Sequence, residues 1–137
     1  MEIRAHQSND FESVYQLFKS ELGYEVNKQH IEEMLKSHFK IFVAIIDQQV
    51  VGFIGIELTY GFEIKNKVIR IIALAVDTLY QRQGIGKQLI CYIETLDVSA
   101  TILTLNSGLK RKQAHRFYKH LGFMIKGYSF IKKIGKG

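Results

Sequence analysis

The pattern of apolar and polar residues predicts a chain of short strands and amphipathic helices. The apolar run Val68–Val76 predicts a buried strand. After a gap, apolar residues recur at the spacing of one helix face, at Ile85, Leu89, Ile93 and Leu96. The residues in between, 77–84, must therefore turn the chain directly from a strand into a helix.

The same reading over the rest of the chain predicts a mixed α+β layout in the order β-α-α-β-β-β-α-β-α-β-β. The predicted strands are Glu2–His6, Ile41–Ile46, Val50–Tyr60, Lys67–Val76, Thr101–Asn106, and a final short pair, Phe123–Ile125 and Tyr128–Lys132. The predicted helices are one capped by Ser8 or Asn9 and stopped at Gly23, one from about Asn27 to His38, one from the loop to about Val98, and Lys110–His120. Gly52 and Gly55 inside a strand predict a bulge or a close backbone neighbour.

Length and composition favour an ordinary globular protein. With 137 residues, of which 47% are hydrophobic, we expect a single domain spanning 1–137. No apolar run approaches the roughly 20 residues that span a bilayer. The N-terminus lacks the apolar core of a signal peptide. The single cysteine, Cys91, excludes an internal disulfide and suits a reducing cytoplasm, and we expect it to be buried beside the helix stripe.

The net charge of +6 fits a nucleic acid, an acidic surface or a polyanionic cofactor as partner. A nucleic-acid-binding domain would place aromatic and basic stripes on an exposed sheet. Here the aromatic residues fall on core-facing positions, so we expect neither a nucleic acid nor a membrane as partner. The five histidines show no ligand spacing with carboxylates or thiols, so no metal site is predicted.

The stretch 81–87, Gln-Arg-Gln-Gly-Ile-Gly-Lys, carries the strongest chemical signal. The opening of a helix presents free N–H groups and the positive end of its dipole, which favours an anion such as phosphate. Arg82 and Lys87 add full positive charge. Neither the P-loop nor the dinucleotide-binding pattern fits, because Gln81, Gln88 and Leu89 stand at required positions. A tight strand–helix turn, with glycines needed only for packing, is the alternative interpretation.

Gln81-x-x-Gly84-x-Gly86 after a strand resembles the acetyl-CoA pyrophosphate loop of the GNAT superfamily of N-acetyltransferases. A second stretch, Ala114 to Phe123, resembles the second cofactor element of that family, Ala-x-x-Phe/Leu-Tyr-x-x-x-Gly-Phe. The predicted order of elements also matches the family over the whole chain. Locally, 106–118 is most similar to a subset that includes aminoalkylphosphonate acetyltransferases.

The resemblance implies a GNAT fold of class α+β. That fold has a mixed central sheet of about six or seven strands, splayed between the fourth and fifth, with flanking helices. It implies acetyl-CoA as cosubstrate, with the pantetheine arm in the wedge between the splayed strands. Many members carry an Asn where this chain has Arg111, and Asn106 is the candidate to take over part of that role. The implied cofactor-binding residues are Leu74, Ala75, Val76, Gln81, Arg82, Gln83, Gly84, Ile85, Gly86, Lys87, Asn106 and Tyr118.

The resemblance also implies direct attack of an amine on the thioester. An amide of Val76 or a neighbour would face the oxyanion. Tyr118 would be the acid for the leaving sulfur, unless it is only a core aromatic residue. Many relatives place a basic Glu at the slot aligned with Ala73. Glu57 is the nearest carboxylate here, with a water relay or an outward-facing structural Glu as the alternatives.

These features predict a cytoplasmic acetyl-CoA-dependent N-acetyltransferase that acts on a primary amine of a small molecule or peptide. A non-catalytic acyl-CoA-binding sensor on the same fold is the alternative, since Ala73 replaces the basic Glu. Many relatives dimerise, so a homodimer is compatible with the resemblance. Four carboxylates could attract a cationic amine or form a solvated helix face: Glu21, Glu25, Glu32 and Glu33.

Overall fold

The computed structural model describes residues 1–23, 27–37, 39–61, 64–97 and 99–135. It divides into two compact units, Met1–Leu105 and Asn106–Gly137, which are described separately. The first unit contains the strands β1 (Glu2–Ala5), β2 (Lys40–Ile46), β3 (Gln49–Gly61), β4 (Ile64–Val76) and β5 (Ala100–Leu105). Its helices are α1 (Phe11–Leu22), α2 (Lys28–Leu35) and α3 (Ile85–Glu94), and the second unit contains α4 (Lys112–His120).

The five strands form one sheet in the order of the sequence. Neighbouring strands are antiparallel from β1 to β4, whereas β4 and β5 are parallel. Parallel neighbours need a crossover connection, and α3 provides it. The predicted mixed α+β layout is therefore confirmed for this unit.

Helices cover both faces of the sheet because the side chains of each strand alternate between them. On one face α1 and α2 pack through Phe18 and Ile31 into a core that contains Val43 and Phe53, and the Phe18 and Phe53 ring centroids lie 4.8 Å apart. On the other face the Phe42 ring lies 5.3 Å from that of Tyr92 on α3. The buried residues of α3 are Ile85, Leu89, Ile90 and Ile93.

Gly52 and Gly55 both lie against the neighbouring strand β4. A Cβ on Gly52 would come within 3.1 Å of the Ala75 carbonyl oxygen, and one on Gly55 within 3.3 Å of Ile72 Cγ1. Gly55 faces Ala73 while the next residue of β3 faces Ile71, so Ile72 is an extra residue, a β-bulge in β4. The predicted bulge or close neighbour is confirmed at both glycines.

The entry to α1 is fixed by an ion pair between Arg4 and the buried carboxylate of Asp10, with an N–O distance of 2.7 Å. Asp10 also accepts the Gln7 backbone N–H at 2.8 Å. The hydrogen bond from Arg4 holds the pKa of Asp10 below its usual value. The helix ends at Gly23, whose left-handed φ of 66° confirms the predicted stop.

Two expectations for α3 are wrong. The helix ends at Glu94 and not near Val98, which itself lies outside the described residues, and Leu96 is exposed. Cys91 is exposed and not buried. Two residues along a helix rotate by about 200°, so Cys91 points away from the buried Leu89 and Ile93 on either side of it.

The second unit shows the clearest departure from the predicted fold. No described residue after α4 forms a strand, so the sheet has five strands and not the predicted six or seven. The alternating pattern of 123–132 indicates strand propensity, but a strand forms only where a partner backbone completes the ladder. The large apolar side chains of this segment are exposed: Met124, Ile125, Tyr128, Phe130 and Ile131.

Candidate functional site

The C-terminal end of β4 has a strand partner on one edge only. Its ladder with β3 continues to the pair Gly52 and Val76, whereas its ladder with β5 stops at Ile71 and Leu105. Residues 72–76 therefore have no strand neighbour on the β5 side among the described residues. This is where the predicted splay should begin, but the structure shows only the end of the ladder and does not confirm a splay.

The backbone groups on this unpaired edge can be assigned from the hydrogen-bond pattern. The N–H of Asp77 donates to the Val51 carbonyl at 2.8 Å, so Asp77 faces β3. Successive residues of a strand direct their N–H and C=O groups to opposite edges. Val76 and Leu74 therefore direct theirs toward the unpaired edge, while Ala75 faces β3 and its side chain lies in the core. Of the three predicted strand contacts, Leu74 and Val76 offer backbone donors.

The chain leaves β4 through a 3₁₀ turn, Thr78–Tyr80, and enters α3 through two left-handed residues. Asp77 caps the turn by accepting the Leu79 N–H at 2.9 Å. Arg82 has a φ of 67° and Gly84 a φ of 79°. A Cβ on Gly84 would meet nothing within 4 Å, so the backbone conformation, and not space within the chain, is what requires glycine here.

The loop ends in a run of free backbone donors. The first hydrogen bond of α3 runs from the Gln88 N–H to the Gly84 carbonyl, at 3.0 Å. Within the described part of the chain, the N–H groups from Arg82 to Lys87 have no acceptor. No side chain caps the helix and no acidic residue lies in its first turn. The site therefore has the donors, the helix dipole and the charges of Arg82 and Lys87 that an anion needs.

Glu21, in the last turn of α1, is tied to this loop. Its Oε1 accepts the Thr78 backbone N–H at 3.0 Å and the Thr78 hydroxyl at 2.6 Å. Its Oε2 accepts from Gln81 Nε2 at 3.3 Å, and the same nitrogen donates to the Val76 carbonyl at 2.9 Å. Glu21 thus binds the loop through both of its carboxylate oxygens. Sequence reasoning missed this role because 57 residues separate Glu21 from Thr78.

The other predicted carboxylates are distributed along the first unit. Glu57 lies directly across the β3–β4 ladder from Arg70, and its Oε1 accepts from Arg70 Nη1 at 2.7 Å. Both residues belong to the part of the ladder where β4 is paired on each edge. Glu32 and Glu33 are exposed on α2, and Glu25 lies outside the described residues.

Tyr118 lies on α4 in the second unit. Its ring packs against those of Phe117 and Phe123, with centroids 5.3 and 5.6 Å away. Burial raises the pKa of the phenol, an effect partly opposed by the charge of Arg111. The hydroxyl therefore keeps its proton at neutral pH, as a general acid must. Asn106, also in this unit, is exposed, and the Arg111 N–H donates to the Gly108 carbonyl at 3.0 Å.

These elements together define a site for an anionic group at one edge of an α+β sheet. The end of β4 is paired on one edge only, and the turn after it leads to the free N–H donors at the start of α3. Residues 8–123 match the model of the acetyltransferase (GNAT) family. The chain therefore belongs to the GNAT family of N-acetyltransferases, enzymes that use acetyl-CoA to acetylate amines. The family and the enzyme class predicted from the two motifs are confirmed.

Individual relatives extend over nearly the whole chain. The aminoalkylphosphonate N-acetyltransferase of Salmonella typhimurium is 28% identical over 140 aligned positions, which cover 97% of this chain and 91% of that protein. The crystal structure of aminoglycoside acetyltransferase meta-AAC0020 from an uncultured soil metagenomic sample has a TM-score of 0.81 at 22% identity, covering 98% of this chain and 96% of that one. The structure of AAC(6')-Iy in complex with the bisubstrate analogue CoA-S-monomethyl-acetylneamine has a TM-score of 0.82 at 19% identity, and the match covers 98% of each chain. The two structures show the shared fold.

The residues of the first unit fit acetyl-CoA. A pyrophosphate needs closely spaced N–H donors, and 82–87 supply consecutive ones without a competing acceptor. An extended pantetheine arm carries amide groups, which match the unpaired backbone edge at Leu74 and Val76.

Among the helices of the described ranges, none has the length and apolar character needed to cross a bilayer.

Proposed function

We propose that this protein transfers the acetyl group of acetyl-CoA to a primary amine of a small molecule or peptide by direct attack. The proposal rests on one observation: two sets of free backbone N–H donors lie close together along the chain. The unpaired edge at Leu74 and Val76 leads, through one short turn, into the free N–H groups of 82–87. One elongated ligand with a diphosphate at one end and an amide arm at the other would satisfy both.

In the proposed reaction a neutral amine attacks the thioester carbonyl. A C–N bond forms, the carbonyl oxygen becomes an oxyanion, and the C–S bond then breaks to release CoA thiolate. The Val76 N–H, or that of Leu74, would donate to the oxyanion, where fixed donors stabilise developing charge. Tyr118 would give its proton to the leaving sulfur, and its raised pKa means that the proton is present at neutral pH.

The amine must lose a proton before or during attack. Glu57 is the side-chain candidate for this base, and a water relay is the alternative. The hydrogen bond from Arg70 fixes the carboxylate of Glu57 and occupies one of its acceptor positions.

The acceptor amine is proposed only as a class. Glu21 is engaged by the loop, which removes one carboxylate from the set that could attract a cationic amine. The net charge of +6 and the similarity to an aminoalkylphosphonate N-acetyltransferase support amines that also carry an anionic group. Aminoalkylphosphonates are therefore the first substrates to test. Aminoglycosides and lysine peptides are the cationic amines tested beside them.

The deciding experiment measures thiol release from acetyl-CoA against this panel of amines. We expect turnover with at least one amine, and we expect Tyr118→Phe to lower kcat by about 10²–10⁴-fold, because a positioned acid contributes that much. The affinity for CoA, measured by calorimetry, should stay close to that of the wild type. Tyr128→Phe, at an exposed tyrosine of the tail, is the matched control. A wild-type kcat in Tyr118→Phe would remove Tyr118 from the mechanism.

The non-catalytic sensor would bind CoA without turnover of any amine, so the same panel of amines separates it from the proposed enzyme. A homodimer and a cytoplasmic location stay predictions. Size-exclusion chromatography with light scattering tests the first, and cell fractionation tests the second.

A further inference from the structure

Among the described residues, Glu21 is the residue of α1 that forms hydrogen bonds to the loop that follows β4. It is half-buried, and its two oxygens receive three hydrogen bonds from Thr78 and Gln81. A carboxylate accepts several such bonds at once, and bonds to a charged acceptor are stronger than neutral ones. The link therefore joins the end of α1 to a loop that is distant in sequence and that contains part of the proposed CoA site.

The contacts of Gln81 extend this link to the end of the strand. Its side-chain nitrogen bridges Glu21 and the Val76 carbonyl, which points to the unpaired edge of β4. Gln81 immediately precedes Arg82, whose left-handed conformation aims the following N–H groups. A shift of the Gln81 side chain would thus disturb both the strand edge and the run of free donors at once.

We propose that Glu21 is a positioning residue that holds the end of β4 and the 77–84 loop in the conformation that binds CoA. This inference rests on the proposed function. Glu21 touches neither reacting atom, and it acts through Thr78 and Gln81. The two donors of Thr78 anchor the start of the loop, and Gln81 passes the constraint to Val76 and Arg82.

The test uses purified full-length protein and four variants. Glu21→Ala removes all three hydrogen bonds, whereas Glu21→Gln keeps the shape and can still accept from Thr78. Thr78→Val removes the hydroxyl donor and leaves the backbone N–H, and Thr78→Ser restores the hydroxyl. Glu12→Gln is the matched control, because Glu12 lies on the same helix and forms an exposed ion pair with Lys28 away from the loop.

The first readout is CoA affinity by calorimetry. We expect Glu21→Ala to weaken CoA binding by about ten-fold, the loss typical of hydrogen bonds to a charged group. Glu21→Gln and Thr78→Val should lie between it and the wild type, with Thr78→Ser recovering affinity. At saturating acetyl-CoA, kcat should change less than the KM for acetyl-CoA, because the chemistry is not removed. Glu12→Gln should bind CoA like the wild type.

The second readout is amide hydrogen exchange in the protein without CoA. Glu21→Ala should accelerate exchange of the Thr78 amide, and Glu12→Gln should not. Faster exchange with unchanged CoA affinity would overturn the positioning role and leave a purely structural link. Unchanged exchange and unchanged affinity would overturn the link as well. If Glu21→Ala fails to fold by circular dichroism, the Glu21→Gln and Thr78→Val pair decides by the same criteria.

The two proposals fail in different ways. A wild-type protein that does not bind CoA would contradict the proposed function and, with it, the role of Glu21 in cofactor binding. A wild-type protein that binds CoA, beside a Glu21→Ala variant of equal affinity, would contradict only the positioning role.

Discussion

The two halves of β4, 67–71 and 72–76, differ in their strand partners and in the charged residues that they carry. From Lys67 to Ile71 the strand is paired with β3 on one edge and β5 on the other. Ion pairs with Asp97 and Glu57 fix Lys67 and Arg70 there. From Ile72 to Val76, within the described ranges, the strand is paired with β3 alone, and the Gln81 side chain of the loop donates to the Val76 carbonyl. The first half joins β3 to β5, and the second half has backbone donors without a strand partner on the β5 side, where we propose that CoA binds.

The boundary between the halves coincides with the β-bulge at Ile72. A bulge adds one residue to a strand and increases its local twist. Gly55 accommodates it, because a side chain there would press on Ile72. The proposed site therefore lies just beyond the point where pairing with β5 stops, and the ion pairs of Lys67 and Arg70 lie in the paired half before it.

The open half should be the more sensitive to changes that affect CoA. Gly84→Glu places a carboxylate beside the free donors, and we expect CoA affinity to fall by about 10³-fold through misplacement and like-charge repulsion. Gly84→Ala carries the same backbone strain at φ 79° without the charge, and should bind far better than Gly84→Glu. Calorimetry with CoA measures both. Equal binding by Gly84→Glu and the wild type would place the diphosphate elsewhere and end the proposed function.

Substitution of Glu57 tests whether a residue beside the paired half of β4 acts as the base of the proposed reaction. If it is the base, Glu57→Gln should lower kcat by about 10²-fold and remove the acidic limb of the pH–rate profile. Arg70→Met is the control, because it deletes the ion-pair partner and keeps the carboxylate. A stopped-flow or steady-state profile that matches the wild type would assign the proton transfer to water and leave Glu57 as a structural residue.

The smallest expected effect is on the free energy of unfolding, when the Lys67–Asp97 ion pair at the start of the β4–β5 ladder is removed. Its N–O distance is 3.1 Å. Hydrogen bonds from Ser99, together with Lys67, lower the pKa of Asp97 from 3.8 to about 2. A depressed carboxylate pKa adds stability that is full above the unfolded value and is lost as pH falls through the folded one. Urea unfolding should therefore separate the wild type from Asp97→Asn at pH 6.

That separation should close between about pH 4 and pH 2, the interval between the unfolded and folded values of Asp97. CoA affinity at pH 7 should be unchanged in Asp97→Asn, since the pair lies at the other end of the strand. A stability difference that persists undiminished at pH 2 would mean that the charge of Asp97 is not its source.

The strand–turn–helix conformation of 76–87 could be predicted from the sequence because its signals are local. A strand, two glycines and a helical stripe within a short stretch determine both the turn and the free donors. The role of Glu21 could not be predicted in the same way, since only folding brings the end of α1 to Thr78. No periodicity connects residues that are so far apart in the chain.

The predicted strands after α4 failed for a related reason. Alternation of apolar and polar residues indicates that a segment can adopt a strand conformation. Whether the strand forms depends on a partner strand, and the alternation does not identify one. The position of Cys91 was missed because its apolar neighbours were counted without their angle around the helix. The fold of the first unit was therefore more predictable than the second, where few residues are buried.

The exposure of Cys91 has a practical consequence for kinetics. As the only thiol of the chain, it would react with the disulfide reagents that report released CoA, adding one equivalent of colour per molecule. A Cys91→Ser background removes that signal, and because the residue faces outward on α3 the replacement should leave folding unaffected. The same thiol also provides an attachment point for a fluorophore on the helix that begins after Gly84.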